Sequence, residues 1–261
     1  MTKDVEISVA DGVQTIRFAR PEKKNALNSP MYAAITEALK RGDASEDVVA
    51  HLFIGSGGTF TAGSDINEFV ERARGGTALD GPVLDFLRTL PRVQKPMIAA
   101  VDGLGVGIGT TLMFHCDLVY ATPEACFVTP FLNLGIVPEA GSSLLAPLRL
   151  GYARAFELLI LGEPLTADRA REAGLVNAIV PAAELEATAR QAAATLAQKP
   201  QQALALARRL LRGDPGAILA RIEEEAVLFK ERLSSPEARE AFAAFLEKRP
   251  PDFRKAREGA E

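Results

Sequence analysis

The sequence predicts an α/β fold: a strand-and-helix core to about residue 195, followed by a helical region over 196–261. Three observations carry this. Short apolar runs alternate with helical patterns through the first half of the chain. Two of those runs, "VAHLFIGSG" and "KPMIAAVDG", are almost wholly apolar and end in glycine, as strands buried on both faces do. After Gly151 the apolar spacing becomes almost continuously helical. Strand, helix and strand in repetition imply right-handed crossovers and a largely parallel sheet.

Taken in order, "VEISVADGVQTIRFA" alternates apolar and polar residues about Asp11-Gly12 and reads as a β-hairpin. "SPMYAAITEALKRGD" starts a helix at Ser29-Pro30 and repeats its apolar residues every 3.6 positions or so. The strand "VAHLFIGSG" follows, then "KPMIAAVDG", a Gly-rich turn, the apolar helix "GTTLMFHC" and the strand "DLVYAT". Beyond these, "YARAFELLILG", "ADRAREAG", "AELEATARQAAATLAQ", "PQQALALARRLLRG", "AILARIEEEAVLFKERLS" and "PEAREAFAAFLEK" are helical, with one short strand at "VNAIV". The long amphipathic helices offer apolar faces for packing between subunits.

The composition is that of a soluble globular protein, 48% hydrophobic and 25% charged, with a net charge of -4. Basic residues are interleaved with acids, so no nucleic-acid footprint is expected; the "RRLLR" run at 208–212 reads as a solvated helix face. No apolar run is long enough to span a membrane, and "MTKDVEISVADG" lacks a signal-like apolar segment. "GAE" at the C-terminus is not a peroxisomal address, so the expected location is cytoplasmic. Cys116 and Cys126 read as reduced thiols, and with His51 and His115 they do not form a metal site at any usual spacing.

Three stretches invite chemistry. In "GGTFTAGSDINEF", Gly63-Ser64-Asp65 opens a helix, Asp65 suits an N-cap, and Glu68 and Glu71 fall on an exposed face. In "VDGLGVGIGTTL", alternating glycines lead into a helix, a pattern that fits tight packing and anion binding equally well; it is neither a dinucleotide fingerprint nor a P-loop. In "FVTPFLNLGIVPEAGSSLL", Glu139 stands alone among uncharged residues. Either it reaches water at a loop and caps the next helix, or it is an acid/base group, because a buried unpaired carboxylate is costly and its pKa rises. Asp117 reads as a turn or core hydrogen-bonding residue.

These blocks, with "RPEKKNALNSPM", "GEPLTADRAREAGLVNAIVP" and "FLEKRPPDF", resemble the successive signature blocks of the enoyl-CoA hydratase/isomerase family, the crotonases, over essentially the whole chain. The resemblance implies a spiral of ββα units and a C-terminal helical region that forms trimers or dimers of trimers. It implies an acyl-CoA thioester as substrate, with coenzyme A entering as part of it and no separate cofactor. Backbone N–H groups of Ser64 and Ile108 would hold the thioester oxygen. The coenzyme A pocket would be lined around Lys24, Asn25 and Ala26, and by Ala62, Gly63, Ser64, Asp65 and Ile66. Gly107, Thr111, Phe131 and Leu134 would face substrate, and Phe245 and Lys248 would reach coenzyme A in the same or a neighbouring subunit. The acyl tunnel would be shaped between Phe69 and Val93, where "ARGGTALDGP" suggests flexibility.

Family members divide by their acids. The places of the two hydratase glutamates hold Thr111 and Phe131 here, neither of which exchanges protons near neutral pH. Glu139 falls instead where Δ3,Δ2-enoyl-CoA isomerases, and relatives acting on ring-containing acyl-CoAs, carry a single acid. The resemblance therefore implies a double-bond shift with Glu139 as the one acid/base group. A hydratase or thioester hydrolase with unusual water activation, and a non-catalytic acyl-CoA-binding subunit, are the alternatives.

Overall fold

Strands β1 (Val5–Ala10) and β2 (Val13–Phe18) pair antiparallel across the two-residue Asp11-Gly12 turn. Both turn residues have positive φ, which matches the twist of a tight hairpin. Seven more strands follow: β3 (Ala50–Gly55), β4 (Met97–Val101), β5 (Leu104–Val106), β6 (Leu118–Ala121), β7 (Cys126–Val128), β8 (Leu165–Thr166) and β9 (Ala178–Ile179). Six of them form one sheet in the order β1-β2-β3-β4-β6-β9, parallel from β2 onward. A second sheet joins β5, β7 and β8. The structure is a computed structural model and describes residues 2–74 and 80–258.

Among the described residues there are twelve α-helices: α1 (Ser29–Ala44), α2 (Ile66–Arg74), α3 (Pro82–Thr89), α4 (Ile108–Thr111), α5 (Ser142–Leu150), α6 (Tyr152–Phe156), α7 (Ala167–Glu172), α8 (Ala182–Ala197), α9 (Gln201–Arg212), α10 (Gly216–Leu233), α11 (Pro236–Glu247) and α12 (Phe253–Glu258). The Asn28 side chain caps α1 by accepting from the Met31 N–H at 3.0 Å.

The period-two alternation of strands distributes the core. On one face of the main sheet Phe53, Ala99 and Val101 join Ile35 and Leu39 of α1. On the other, Leu52, Ile54, Ile98 and Ala100 meet Leu185, Ala189 and Ala193 of α8. Ile222, Phe229 and Leu233 of α10 and Phe242 of α11 belong to the first of these cores, so these two C-terminal helices pack onto it. The boundary expected at residue 195 falls inside the last turn of α8. The α9 helix leaves Leu206, Leu210 and Leu211 exposed.

Several expectations need correction. The Gly-rich stretch expected as a turn contains β5, and the second sheet was not foreseen because its strands are only two or three residues long. The "RRLLR" run is not wholly solvated: Arg208 is buried. Its Nε lies 3.0 Å from both Asp117 carboxylate oxygens, and its Nη1 donates to the carbonyls of Val93 and Gln94 at 2.7 and 2.9 Å. The planar guanidinium thus faces one acid and two carbonyls, and its Nη2 lies 2.9 Å from Asp117 Oδ2 as an ion pair without an aligned hydrogen bond. Asp117 also accepts from the Met97 N–H at 2.8 Å, which ties it to the start of β4. Burial pushes the Cys116 thiol up to about 12. Residues 75–79, at the centre of the expected flexible loop, lie outside the described residues.

Asn25 shows how the ends of β2 and β3 are joined. It is fully buried with φ of 54°, and its amide donates to the carbonyls of Ser56 (2.8 Å) and Thr59 (2.7 Å) while accepting from the Arg20 N–H (2.9 Å). Asn25→Ala leaves three part-buried backbone groups without this partner and puts alanine in a left-handed conformation. The expected loss is about 3 kcal/mol, read as a fall of roughly 10 °C in thermal midpoint.

Candidate active site

The loop after β3 runs beside Leu27, whose N–H donates to Gly63 O (2.7 Å) and whose O accepts from the Asp65 N–H (2.8 Å). In such a parallel bridge the intervening Ser64 directs its own N–H away from Leu27. A second loop leaves β5, and Ile108 is the first residue of α4, so its N–H is one of the first-turn donors with no acceptor inside the helix. Among the described residues, neither the Ser64 nor the Ile108 N–H meets a backbone or side-chain acceptor. Ser64 and Ile108 border the same cavity of about 240 Å³.

Two glycines allow the loops to meet. A Cβ on Gly63 (φ 87°) would stand 2.8 Å from Val106 O, so any side chain there would push the loops apart. Gly107 holds φ 54° and ψ -116°, a conformation open essentially to glycine alone, and its N–H donates to Val128 O at 2.8 Å.

Glu139 stands on the cavity wall, only 8% exposed. Its Oε1 accepts from the Thr111 hydroxyl at 2.6 Å. Burial pushes its carboxyl up to about 8; the Thr111 hydrogen bond opposes the rise, and the charge of Glu225 adds to it. The next two residues, Ala140 and Gly141, are both left-handed, with φ of 63° and 70°. His115 Nε2 lies 2.7 Å from Ala140 O and donates to it, since a carbonyl oxygen only accepts; burial pushes the imidazole down to about 3, so it is neutral.

The cavity brings together Ala62, Gly63, Ser64, Asp65, Ile66, Gly107, Ile108, Phe131, Leu134, Glu139 and Phe245, as expected for a single site. Four expectations change. Thr111 does not border the cavity; it is fully buried and bonded to Glu139. The polar backbone groups of residues 24–26 already pair internally: Lys24 O with the Ala62 N–H, Asn25 O with Thr61 Oγ1, Ala26 O with Arg20 Nη1. Lys24 and Lys248 are exposed and do not border the cavity, and the buried Asn25 does not border it either. Glu68, expected on a solvated face, borders the cavity and accepts from the Ser29 N–H at 2.8 Å.

Sequence reasoning missed Tyr32, whose hydroxyl lies 2.8 Å from Ser64 Oγ, and Ile136 and Phe229, which complete the apolar wall. The only signal of Tyr32 and Phe229 was apolar helical periodicity, which marks core and cavity wall alike, and Ile136 was one apolar residue in a loop. Asp65 is held by Arg20 Nη1 at 2.7 Å and accepts from the Asn67 N–H at 3.1 Å, as a capping residue would. Arg20 holds its carboxyl below the usual range, against the cost of burial. Among the described residues no cluster of His, Cys, Asp and Glu is placed to hold a metal ion, and no helix is long and apolar enough to cross a membrane.

Comparison with known proteins agrees with this geometry. The enoyl-CoA hydratase/isomerase family profile matches residues 8–256. Enoyl-CoA delta isomerase 2 of Rattus norvegicus is 34% identical over 255 residues, a match covering 95% of this chain; the chain spans 65% of the length of the rat protein. The 1,2-epoxyphenylacetyl-CoA isomerase of Escherichia coli K12 is 33% identical over 251 residues, covering 94% of this chain and 96% of that protein. A crystal structure of an enoyl-CoA hydratase/isomerase from Pseudoalteromonas atlantica T6c is similar with a TM-score of 0.90 and 37% identity, over 96% of this chain and 99% of the other. With its parallel sheet, paired backbone donors and helical C-terminal region, the chain belongs to the enoyl-CoA hydratase/isomerase, or crotonase, family.

Proposed function

We propose that this protein is an enoyl-CoA isomerase that moves a double bond from Δ3 to Δ2 in an acyl-CoA thioester, with Glu139 as its single acid/base group. The observation that carries this reading is the state of the three carboxylates on the cavity wall. Asp65 is paired with Arg20, and Glu68 accepts from the Ser29 N–H. Glu139 has a hydroxyl as its one bonded partner among the described residues. It is therefore the carboxylate free to exchange a proton.

In the proposed reaction, the thioester oxygen accepts from the Ser64 and Ile108 N–H groups. The Glu139 carboxylate takes a proton from C2, and the electrons of that bond form a dienolate held by the two donors. The neutral acid then returns the proton to C4 as the double bond settles between C2 and C3. Proton and electrons balance without a water molecule, and Phe131, Leu134, Ile136 and Phe229 give the cavity an apolar wall that excludes one. The places expected of two hydratase glutamates hold Thr111, bonded to Glu139, and the buried Phe131. Coenzyme A lies, in this proposal, along Ala62, Ile66 and Phe245, with Lys24 and Lys248 within reach of its phosphates; no separate cofactor is needed. Subunits associate as trimers, or dimers of trimers, through the exposed Leu148, Tyr152, Leu206, Leu210 and Leu211.

Glu139→Gln is expected to bind acyl-CoA within about twofold of the natural chain and to lose roughly 10²–10⁴ in turnover. Retention of most of the turnover would overturn the assignment. Crotonyl-CoA should keep the absorbance of its conjugated thioester; a loss of it would favour hydration. Absence of solvent deuterium at C2 and C4 of every bound ester would favour a binding subunit.

A carboxylate raised to about 8 is only about one-tenth ionised at pH 7, so kcat/KM should rise with pH and level off above about 8. Thr111→Val removes the hydrogen bond that favours the ionised form, which should move this limb upward by about one pH unit. The trimer proposal is checked by light scattering, where the smallest stable species should weigh three times the 27.9 kDa chain.

A further inference from the structure

The proton transfer described above leaves one buried acid unused. Glu225 on α10 is 5% exposed and lies 84 residues from Gly141 in sequence, yet its Oε2 accepts from the Gly141 N–H at 2.6 Å. Its Oε1 accepts from the Ser143 N–H at 3.0 Å and from the Ser143 hydroxyl at 2.6 Å. Arg221, one turn earlier on α10, donates to the same Ser143 hydroxyl at 3.2 Å.

These bonds converge on a strained turn. Ala140 is left-handed, which an L residue with a side chain seldom adopts, and Gly141 repeats the conformation. The Ser142 N–H returns to Glu139 O at 3.1 Å, and His115 holds Ala140 O from the other side. The peptide groups that follow Glu139 are thus gripped by a neutral imidazole on one flank and by a carboxylate on the other. Phe229, one turn beyond Glu225 on α10, borders the cavity, so the same helix forms the acyl wall and holds the turn.

We propose that Glu225 is a positioning residue for Glu139: ionised, it clamps the 139–143 turn through Gly141 and Ser143, and so aims the Glu139 carboxylate at the cavity. The inference rests on the proposed role of Glu139. Glu225 never touches the reacting atoms. Its fit is that of an anion, since donors face both of its oxygens and no acceptor faces it among the described residues. The charged groups around the turn are few. Glu225 acts on Glu139, Arg221 acts on Glu225, and Arg149 and Arg212 act on His115.

The test uses the full-length chain and a 3-enoyl-CoA ester that the natural protein isomerises. Glu225→Gln keeps shape but presents an NH₂ group to one donor. It should lower kcat by roughly 10–100-fold and leave KM within about twofold. It should also shift the pH limb of kcat/KM downward, because Glu139 then ionises without a neighbouring anion. Glu225→Asp, which keeps the charge, should leave the limb in place. A role confined to stability would lower the thermal midpoint while leaving kcat per folded molecule and the limb unchanged, and that result overturns the proposal. If Glu225→Gln does not fold, Ser143→Ala removes one grip while keeping the acid; a kcat fall of about 2–10-fold at constant KM supports the proposal, and an unchanged kcat overturns it. If Glu139→Gln is active, the reading of Glu139 fails first; if Glu139→Gln is dead and Glu225→Gln is wild-type, this inference alone fails.

Discussion

The hydrogen bond of 2.6 Å from Thr111 to Glu139 is the constraint around which the site is arranged. A carboxylate buried without a cation has to be placed by neutral donors, and a hydroxyl on a rigid helix does this without quenching its basicity as an arginine would. The helical segment beginning at Ile108 contributes three groups in sequence. Ile108 opens it with a free N–H, Thr111 reaches Glu139 three residues on, and His115 reaches Ala140 four residues later. Residues at these spacings share one helix face. Backbone donor, hydroxyl and imidazole therefore come from one short segment, which ties the Ile108 end of the cavity to Glu139.

That arrangement requires two loops to approach closely at the C-terminal ends of β3 and β5, the end where parallel strands gather their ligands. The bridge of Thr61 to Gly105 closes the gap between them, and that of Leu27 to Ser64 holds the first loop from its other side. Gly63 makes the approach possible, since a side chain there would meet Val106 O. The donors are thus a by-product of packing: when backbones come this near, the N–H groups that cannot pair across the bridge face outward together.

What was legible in the sequence follows from how local each signal is. The hairpin, the buried strands and the long helices are written in spacings of two and 3.6, and all appear. The oddness of Glu139 was legible for the same reason, because an acid among apolar neighbours stands out within a few residues. Glu225 was not, because it sits in "RIEEEAVLFKE", where one more acid on an amphipathic helix looks solvated. Only the fold brings it to Gly141. Arg208 hid in the same way, 91 residues from the Asp117 that makes its burial tolerable. Thr111 was misjudged differently. Treated as a vacancy where another acid would stand, it is the partner that holds the acid present.

The two buried carboxylates on either side of the 139–143 turn differ in how their charge is satisfied. Burial raises both. Three donors from Gly141 and Ser143, with the charge of Arg221 nearby, oppose the rise at Glu225; a single hydroxyl opposes it at Glu139. Two acids in environments this different can take different roles. The one enclosed by donors has no open side from which to exchange a proton. The one with an open side toward the cavity has an incompletely satisfied charge, and gains most when a C2–H proton neutralises it. Under the proposed reaction, the charge of Glu225 also makes the ionised Glu139 less comfortable, so the clamp that fixes the direction of the base strengthens it as well.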